Sequence, residues 1–319
     1  MTRARVGTLL IVCLWGVARA HAGVTLFLME PYSVDGAFAG TGHAAVYLSR
    51  VCAASPVALK RCEPGELGAV LNRYKNLAGY DWIAIPLIPY LYAVDKPENV
   101  PLYADASLVA YLRDQYRRNH LQSIAPDGVD GKTRRGAWFQ LSGAAYVRRI
   151  YAFEIETSEQ QDDELIRRYN SRPNRSLFHL VTNNCADFAR ELINFYYPKA
   201  LHRNVIADLG VTTPKQMAKC LERYSKRHPE LRFSKFVIPQ VPGDIRRSRP
   251  IRGVVEALFK SKKYMAPLVF FKPLVAGSLG LAYLIRGRFN PAKNAIVFDP
   301  TRDLETMLAG RSPSCTTSN

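Results

Sequence analysis

The chain has 319 residues, of which 48% are hydrophobic and 22% charged, and its formal net charge is +17. The composition is ordinary for a globular protein and can bury a sizeable core, in one large domain or in one domain with an appendage. It holds no internal repeat and no long low-complexity tract, which excludes solenoid and linker-dominated architectures.

The first residues read as a secretory signal. Arg3 and Arg5 give a basic start, residues 6–17 are mostly apolar, and Ala20-His21-Ala22 offers a small-x-small cleavage site. This stretch is too short and wrongly flanked for a comfortable membrane span. The expected mature chain begins near Gly23, exported to a periplasmic or extracellular compartment. Cys13 leaves with the signal, so five cysteines remain: Cys52, Cys62, Cys185, Cys220 and Cys315. Cysteines in an oxidising compartment tend to pair, and an odd number leaves at least one over. Cys52 and Cys62 suit a bridged loop, and a Cys220–Cys315 pair would leave Cys185 free.

In chain order, residues 24–29 and 44–51 are apolar, β-prone runs, separated by a glycine-rich loop over 35–42. Residues 66–74 predict a short helix, 82–88 a strand ended by prolines, and 104–118 an amphipathic helix. Residues 126–135 form a polar loop of the kind that flanks a site. Residues 146–155 alternate as a strand, with Tyr146, Arg148, Ile150 and Ala152 on one face. Thr157 or Ser158 caps a helix to about residue 169, with acidic residues early and Arg167 and Arg168 late. A further helix opens at Thr213-Pro214, and 232–239 and 295–298 are late strands. Strands and helices mix without a regular βαβ alternation, so the expected fold class is α+β.

The run Asn183-Asn184-Cys185-Ala186-Asp187-Phe188 carries the chemistry. Asn183 or Asn184 can cap a helix running to about residue 197, which places Cys185 at its N-terminus. The partial positive charge and spare N–H donors there favour thiolate, the nucleophilic form. A thiol nucleophile needs a base, and His43 is the best placed of the remaining histidines. It follows Thr41-Gly42 at the mouth of a strand, where glycine leaves room for substrate. No spacing suits a metal, and no glycine loop suits a phosphate. No cofactor is expected.

The pairing of Gly42-His43 on an early strand with Asn184-Cys185 opening a later helix resembles the circularly permuted papain-fold enzymes, among them lecithin:retinol acyltransferase-like proteins and NlpC-type peptidases. Arg149, Tyr151, Phe153 and Ile155 on a strand, the helix around Leu165, and then Phe178 and Asn184-Cys185 also resemble the periplasmic domain of bacterial lipoprotein intramolecular transacylases. The resemblance covers residues 23–200. It implies a permuted papain-like core, with a small antiparallel sheet packed on helices. It also implies transfer or hydrolysis of an acyl group through a Cys185 thioester, with His43 as base and acid. Such families orient the histidine with a third polar residue. A second histidine soon after His43, where the retinol-type proteins carry one, is absent; Asp81 and Glu63 are the substitutes considered. Asn183 and Asn184 are candidate oxyanion donors beside the Cys185 backbone N–H. The weak third position leaves open an inactive envelope-binding module, and the family also admits a cell-wall peptidase.

Residues 201–319 lie beyond the resemblance and are strongly basic. Between Lys199 and Arg288 there are 19 Lys plus Arg against 5 Asp plus Glu. For an exported protein that charge suits an anionic membrane surface or an acidic cell-wall polymer and disfavours nucleic acid. Residues 264–285 are long enough to span a bilayer, but Lys272-Pro273 interrupts their middle. Two short apolar pieces in a buried or interfacial hairpin are therefore expected. The substrate expected from these features is a lipid, lipoprotein or peptide at the cell envelope.

Overall fold

The computed structural model describes residues 23–32, 40–75, 77–128 and 137–309. The nine strands among them are β1 (Gly23–Met29), β2 (His43–Leu48), β3 (Val51–Ser55), β4 (Ala58–Arg61), β5 (Ala69–Asn72), β6 (Ile83–Pro86), β7 (Ile150–Glu156), β8 (Ser234–Ile238) and β9 (Ile296–Val297). Seven form one sheet in the order β6-β5-β2-β1-β7-β8-β9, and β3 and β4 form a separate hairpin. Each pair is antiparallel except β8–β9. Eleven α-helices accompany them among the described residues, so the fold class is α+β.

β1 sits at the centre because all seven of its residues are buried. A strand apolar on both faces is stable only where both faces are covered. Phe27 and Met29 enter one core, roofed by the helices Leu87–Tyr92, Ala106–His120 and Ala144–Val147. Val24, Leu26 and Leu28 enter the other, roofed by Glu159–Asn170, Cys185–Tyr196 and Pro214–Ser225. Strands β8 and β9 arise beyond residue 200 and extend this same sheet, which is larger and more mixed than the small antiparallel sheet expected.

The long helices begin where capping residues stood in the sequence. Asp105, Ser158, Asn184 and Thr213 each accept a hydrogen bond from a backbone N–H in the first turn. Four expectations need correction. Residues 66–74 hold strand β5, not a helix. Its run Ala-Val-Leu-Asn is buried throughout, and a short continuous apolar run carries no period that separates helix from strand. The run 44–51 leaves the sheet after Leu48, where the Ser49 hydroxyl accepts from the Gly23 N–H at 2.8 Å and the chain turns into the β3–β4 hairpin. The strand expected over 82–88 stops at Pro86 and becomes a helix, with Pro89 in the first turn, where a missing N–H does no harm. The strand expected over 146–155 starts as a helix, Ala144–Val147, and extends only from Ile150.

Cys52 and Cys62 form a disulfide across the β3–β4 hairpin. Cys185 and Cys220 carry free thiols, so Cys220 is not held in the pair considered with Cys315. Residues 1–22 (expected as a signal segment), Cys315 and most of the two loops over 35–42 and 126–135 lie outside the described residues. The apolar stretch forms two helices, Lys262–Phe271 and Pro273–Ala282, broken at Lys272 as its sequence requires. Among the described residues no helix is long and apolar enough to cross a membrane.

Gly68 starts β5 at a φ of +89°, and a Cβ there would lie 2.1 Å from the Leu48 carbonyl oxygen. Gly68→Ala is expected to cost about 2 kcal/mol or more, through strain at positive φ and displacement of β5 from β2. Urea unfolding monitored by circular dichroism checks this; an unchanged midpoint would show that β5 is not anchored there.

Candidate active site

The Cys185 helix is locked at its first turn. The Asn184 side-chain oxygen accepts from the N–H groups of Ala186 (2.8 Å) and Asp187 (3.0 Å). Its amide nitrogen donates to the carbonyls of Leu180 (2.8 Å) and Thr212 (3.1 Å). Asp187 accepts in return from the Asn184 N–H at 3.3 Å, which completes a capping box. Buried completely, Asp187 also takes hydrogen bonds from the Thr212 hydroxyl (2.5 Å) and the Arg203 guanidinium (2.9 Å). A carboxylate so buried is tolerable only because several donors satisfy it.

This turn meets the start of β2. The pairing of β2 with β5 begins only at Val46 and Leu71, which leaves His43 to Ala45 without a β5 partner. The Cys185 helix packs on β2 beside that gap, and the backbone N–H groups of Ala44, Ala186 and Cys185 favour a charged sulfur there. His43 opens β2 opposite Met29, and its ring stacks on Tyr74 at 4.1 Å and 8°. Cys185 and His43 thus line one cavity of about 540 Å³. The two residues on which the sequence reading rests share this lining, with no hydrogen bond between them among the described residues.

The electrostatics differ from the expectation. Burial pushes the Cys185 thiol above its ordinary value; the three N–H groups and the Arg148 charge oppose this without overcoming it. The thiol is therefore not pre-ionised by its helix. Burial, reinforced by Arg148, pulls His43 well below its ordinary value of 6.5. At neutral pH the cavity wall thus carries a neutral thiol and a neutral imidazole. His43 Nε2 is buried without a hydrogen-bond partner.

The other proposed site residues are engaged elsewhere. Asp81 accepts from Arg73 at 2.7 Å and does not line the Cys185 cavity. Glu63 is exposed and pairs with Lys60 at 3.0 Å. The Asn183 oxygen accepts from Arg73 at 2.5 Å, and its nitrogen donates to the Ser176 hydroxyl and the Leu177 carbonyl. Both Asn184 amide hydrogens are committed to carbonyls, so Asn184 positions the helix and Cys185 offers its own N–H.

Arg148 was missed as a site residue. It lines the cavity, is buried, donates to the Gln140 side chain at 3.0 Å and lies over the Tyr32 ring at 4.6 Å. The backbone carbonyl of Gln140 accepts from the Tyr74 hydroxyl at 3.2 Å, so Gln140 links the two. The sequence reading places Arg148 inside a strand over 146–155, on the face of Tyr146 and Ile150, with no role at a site. Nothing local distinguishes it from Arg149, because its burial comes from the turn that precedes Ile150. None of the described residues lining the cavity is acidic, whereas Arg73, Lys75 and Arg148 are cationic. Among the described residues one group has metal-ligand spacing, Cys52, Cys62 and Glu66, and the disulfide consumes both thiols.

Compared with protein-family models, with curated proteins and with solved structures, the chain finds no match in any of the three.

Removing the positive charge of Arg148 should raise the Cys185 thiol further and release His43 upward, since that charge favours thiolate and opposes imidazolium. In Arg148→Met, alkylation of Cys185 at pH 8 is expected to slow severalfold, while the imidazole titration followed by NMR moves to higher pH. Equal alkylation rates in wild type and variant would show that the charge does not reach the sulfur.

Proposed function

We propose that the protein is an exported thiol-dependent acyltransferase or hydrolase, acting on an ester or amide through a thioester on Cys185. The reading rests on one observation: Cys185, His43 and Arg148 line a single cavity. The resemblance to permuted papain-fold enzymes supports it, as does the placement of the cysteine helix against the histidine strand. The Cys52–Cys62 disulfide fits the exported compartment.

The chemistry follows from the resting protonation states. With a neutral imidazole present, His43 accepts the thiol proton as the sulfur attacks the carbonyl carbon, in a concerted general-base step. The developing oxyanion is stabilised by the Cys185 N–H and the Arg148 guanidinium. Its collapse breaks the bond to the leaving alcohol or amine, which departs with the proton from His43. Water or an acceptor nucleophile then attacks the thioester, giving its proton to His43, and the thiol is restored. Apolar walls that include Phe139, Phe178 and Leu180, together with an absence of acidic residues among the described lining, favour an acyl chain linked to an anionic or neutral group over a cationic substrate.

A second reading, an envelope-binding module without catalysis, is favoured by the missing partner of His43. Its ring rests on Tyr74, where a carboxylate or amide would hold an active imidazole in place.

Incubation with p-nitrophenyl esters of increasing chain length, followed by intact-mass and peptide analysis, separates these readings. An acyl adduct on Cys185 in wild type, absent in Cys185→Ala and reduced about a hundredfold or more in formation rate in His43→Ala, is expected. The acid limb of the kcat/KM profile should lie below the ordinary histidine value of 6.5, because the base is the buried neutral His43. Failure to form any adduct or turn over any ester or amide would favour the binding module.

A further inference from the structure

The helices Lys262–Phe271 and Pro273–Ala282 form a hairpin whose tip covers nothing within the described residues. Phe270, Phe271 and Leu274 at the tip are 83%, 80% and 86% exposed, and Val269, Leu281, Leu284 and Ile285 continue the apolar surface. The second helix is apolar all round apart from Ser278, whose hydroxyl donates to the Leu274 carbonyl at 2.8 Å. Exposed apolar surface of this extent is costly in water. Backbone and hydroxyl groups satisfied within the helix are what a lipid environment requires.

From Ala257 to Phe298 the chain has seven Lys plus Arg and no Asp or Glu. Lys262 and Lys263 begin the first helix, Lys272 lies at the tip, and Arg286 and Arg288 follow the second helix. Each helix has ten residues, so each is about 15 Å long, half the roughly 30 Å hydrocarbon core of a bilayer. The hairpin can enter one leaflet and cannot cross. A lysine at its tip has a stem long enough to carry the ammonium toward a headgroup.

The hairpin is tied to the cavity by short steps. Helix Val254–Phe259 supports it, with the Phe259 ring against Gly280 and stacked on Tyr283 at 5.4 Å. At the other end of that helix, Val254 lines the Cys185 cavity. Helix Val205–Asp208 packs on both Val254–Phe259 and the 283–287 turn and leaves Val205 and Ile206 exposed. Arg203 just before it donates to the Thr182 carbonyl at 3.2 Å, beside the half-exposed Leu180 of the cavity wall.

We propose that the 262–285 hairpin is a one-leaflet docking element that seats the protein on an anionic lipid bilayer, with the exposed Val205–Ile206 pair and Leu180 of the cavity wall turned toward the same surface. The apolar tip enters the acyl region, and the surrounding cations meet phosphate headgroups. Charge sets the choice of occupant. Two copies of this face would bring two cationic collars together, whereas an anionic bilayer neutralises one.

The test is flotation of the purified protein with vesicles of phosphatidylcholine alone or with phosphatidylglycerol added, at low and high salt. Binding to the anionic vesicles is expected to exceed binding to neutral ones by about tenfold or more and to weaken with salt. Replacing Phe270, Phe271 and Leu274 together by serine should reduce it by about tenfold or more, since each change removes apolar burial in lipid. These side chains are exposed, so the circular dichroism spectrum and the Cys185 alkylation rate should stay at wild-type values. Replacing Lys262, Lys263 and Lys272 by glutamate should remove the preference for anionic vesicles. Binding that ignores both sets of changes overturns the proposal. So does a dimer in solution that the serine variant dissolves while wild type leaves vesicles unbound. Flotation is read equally in Cys185→Ala, so docking can fail while thiol chemistry stands, and the reverse.

Discussion

The burial of both faces of β1 is the constraint from which the remaining architecture follows. A strand with no exposed residue needs a neighbour on each edge and a helical layer on each face. β2 and β7 supply the edges, in registers that align Met29 with His43 and with Ile150. The two helical layers supply the faces. Because the Cys185–Tyr196 helix is the part of one layer that lies on β2, its first turn must end near the start of that strand. His43 stands there, and β5 has already parted from β2. The cavity is thus a gap in the sheet's own construction, walled by the end of a strand and the beginning of a helix.

Two buried arrangements hold this geometry with different consequences. Asp187, with its donors from Thr212, Arg203 and the Asn184 backbone, fixes where the sulfur stands. Arg148, held by Gln140 and Tyr32, sets the charge around it. One buried anion and one buried cation therefore divide the work of position and potential. The buried cation favours thiolate and disfavours imidazolium, while burial disfavours both ions. Burial outweighs the cation at Cys185 and acts with it at His43. Both groups rest uncharged near neutral pH.

The C-terminal third joins this core and also leaves it. Strands β8 and β9 lengthen the sheet, and the Pro214–Ser225 helix fills the second core with Met217, Ala218 and Leu221. The 262–285 hairpin then departs as two apolar helices with little to cover them. Lys219 reaches from the core helix to the Arg286 carbonyl, where the chain returns. The same third of the protein supplies packing for the fold and an apolar, basic projection beyond it.

Local chemistry determined much of this in advance. The caps at Asp105, Ser158, Asn184 and Thr213 act within a single turn, so their helices were legible residue by residue. The break at Lys272-Pro273 was legible as well, although Pro267 stands inside the first helix without ending it. So was the prominence of Cys185 and His43, which depends on the Asn before the one and the Gly before the other. What only tertiary structure decided depends on partners distant in the chain. β5 is a strand because β2 and β6 flank it, although its four residues carry no period of their own. Cys185 is raised, not lowered, because the surrounding protein partly screens the half-buried thiol from water, and no feature of residues 183–188 records that screening. Arg148 faces the sulfur because the turn before β7 delivers it there, past an Arg149 identical in kind. Sequence fixes what a residue can do within reach of its neighbours; burial, and with it protonation and pairing, is a property of the whole packed chain.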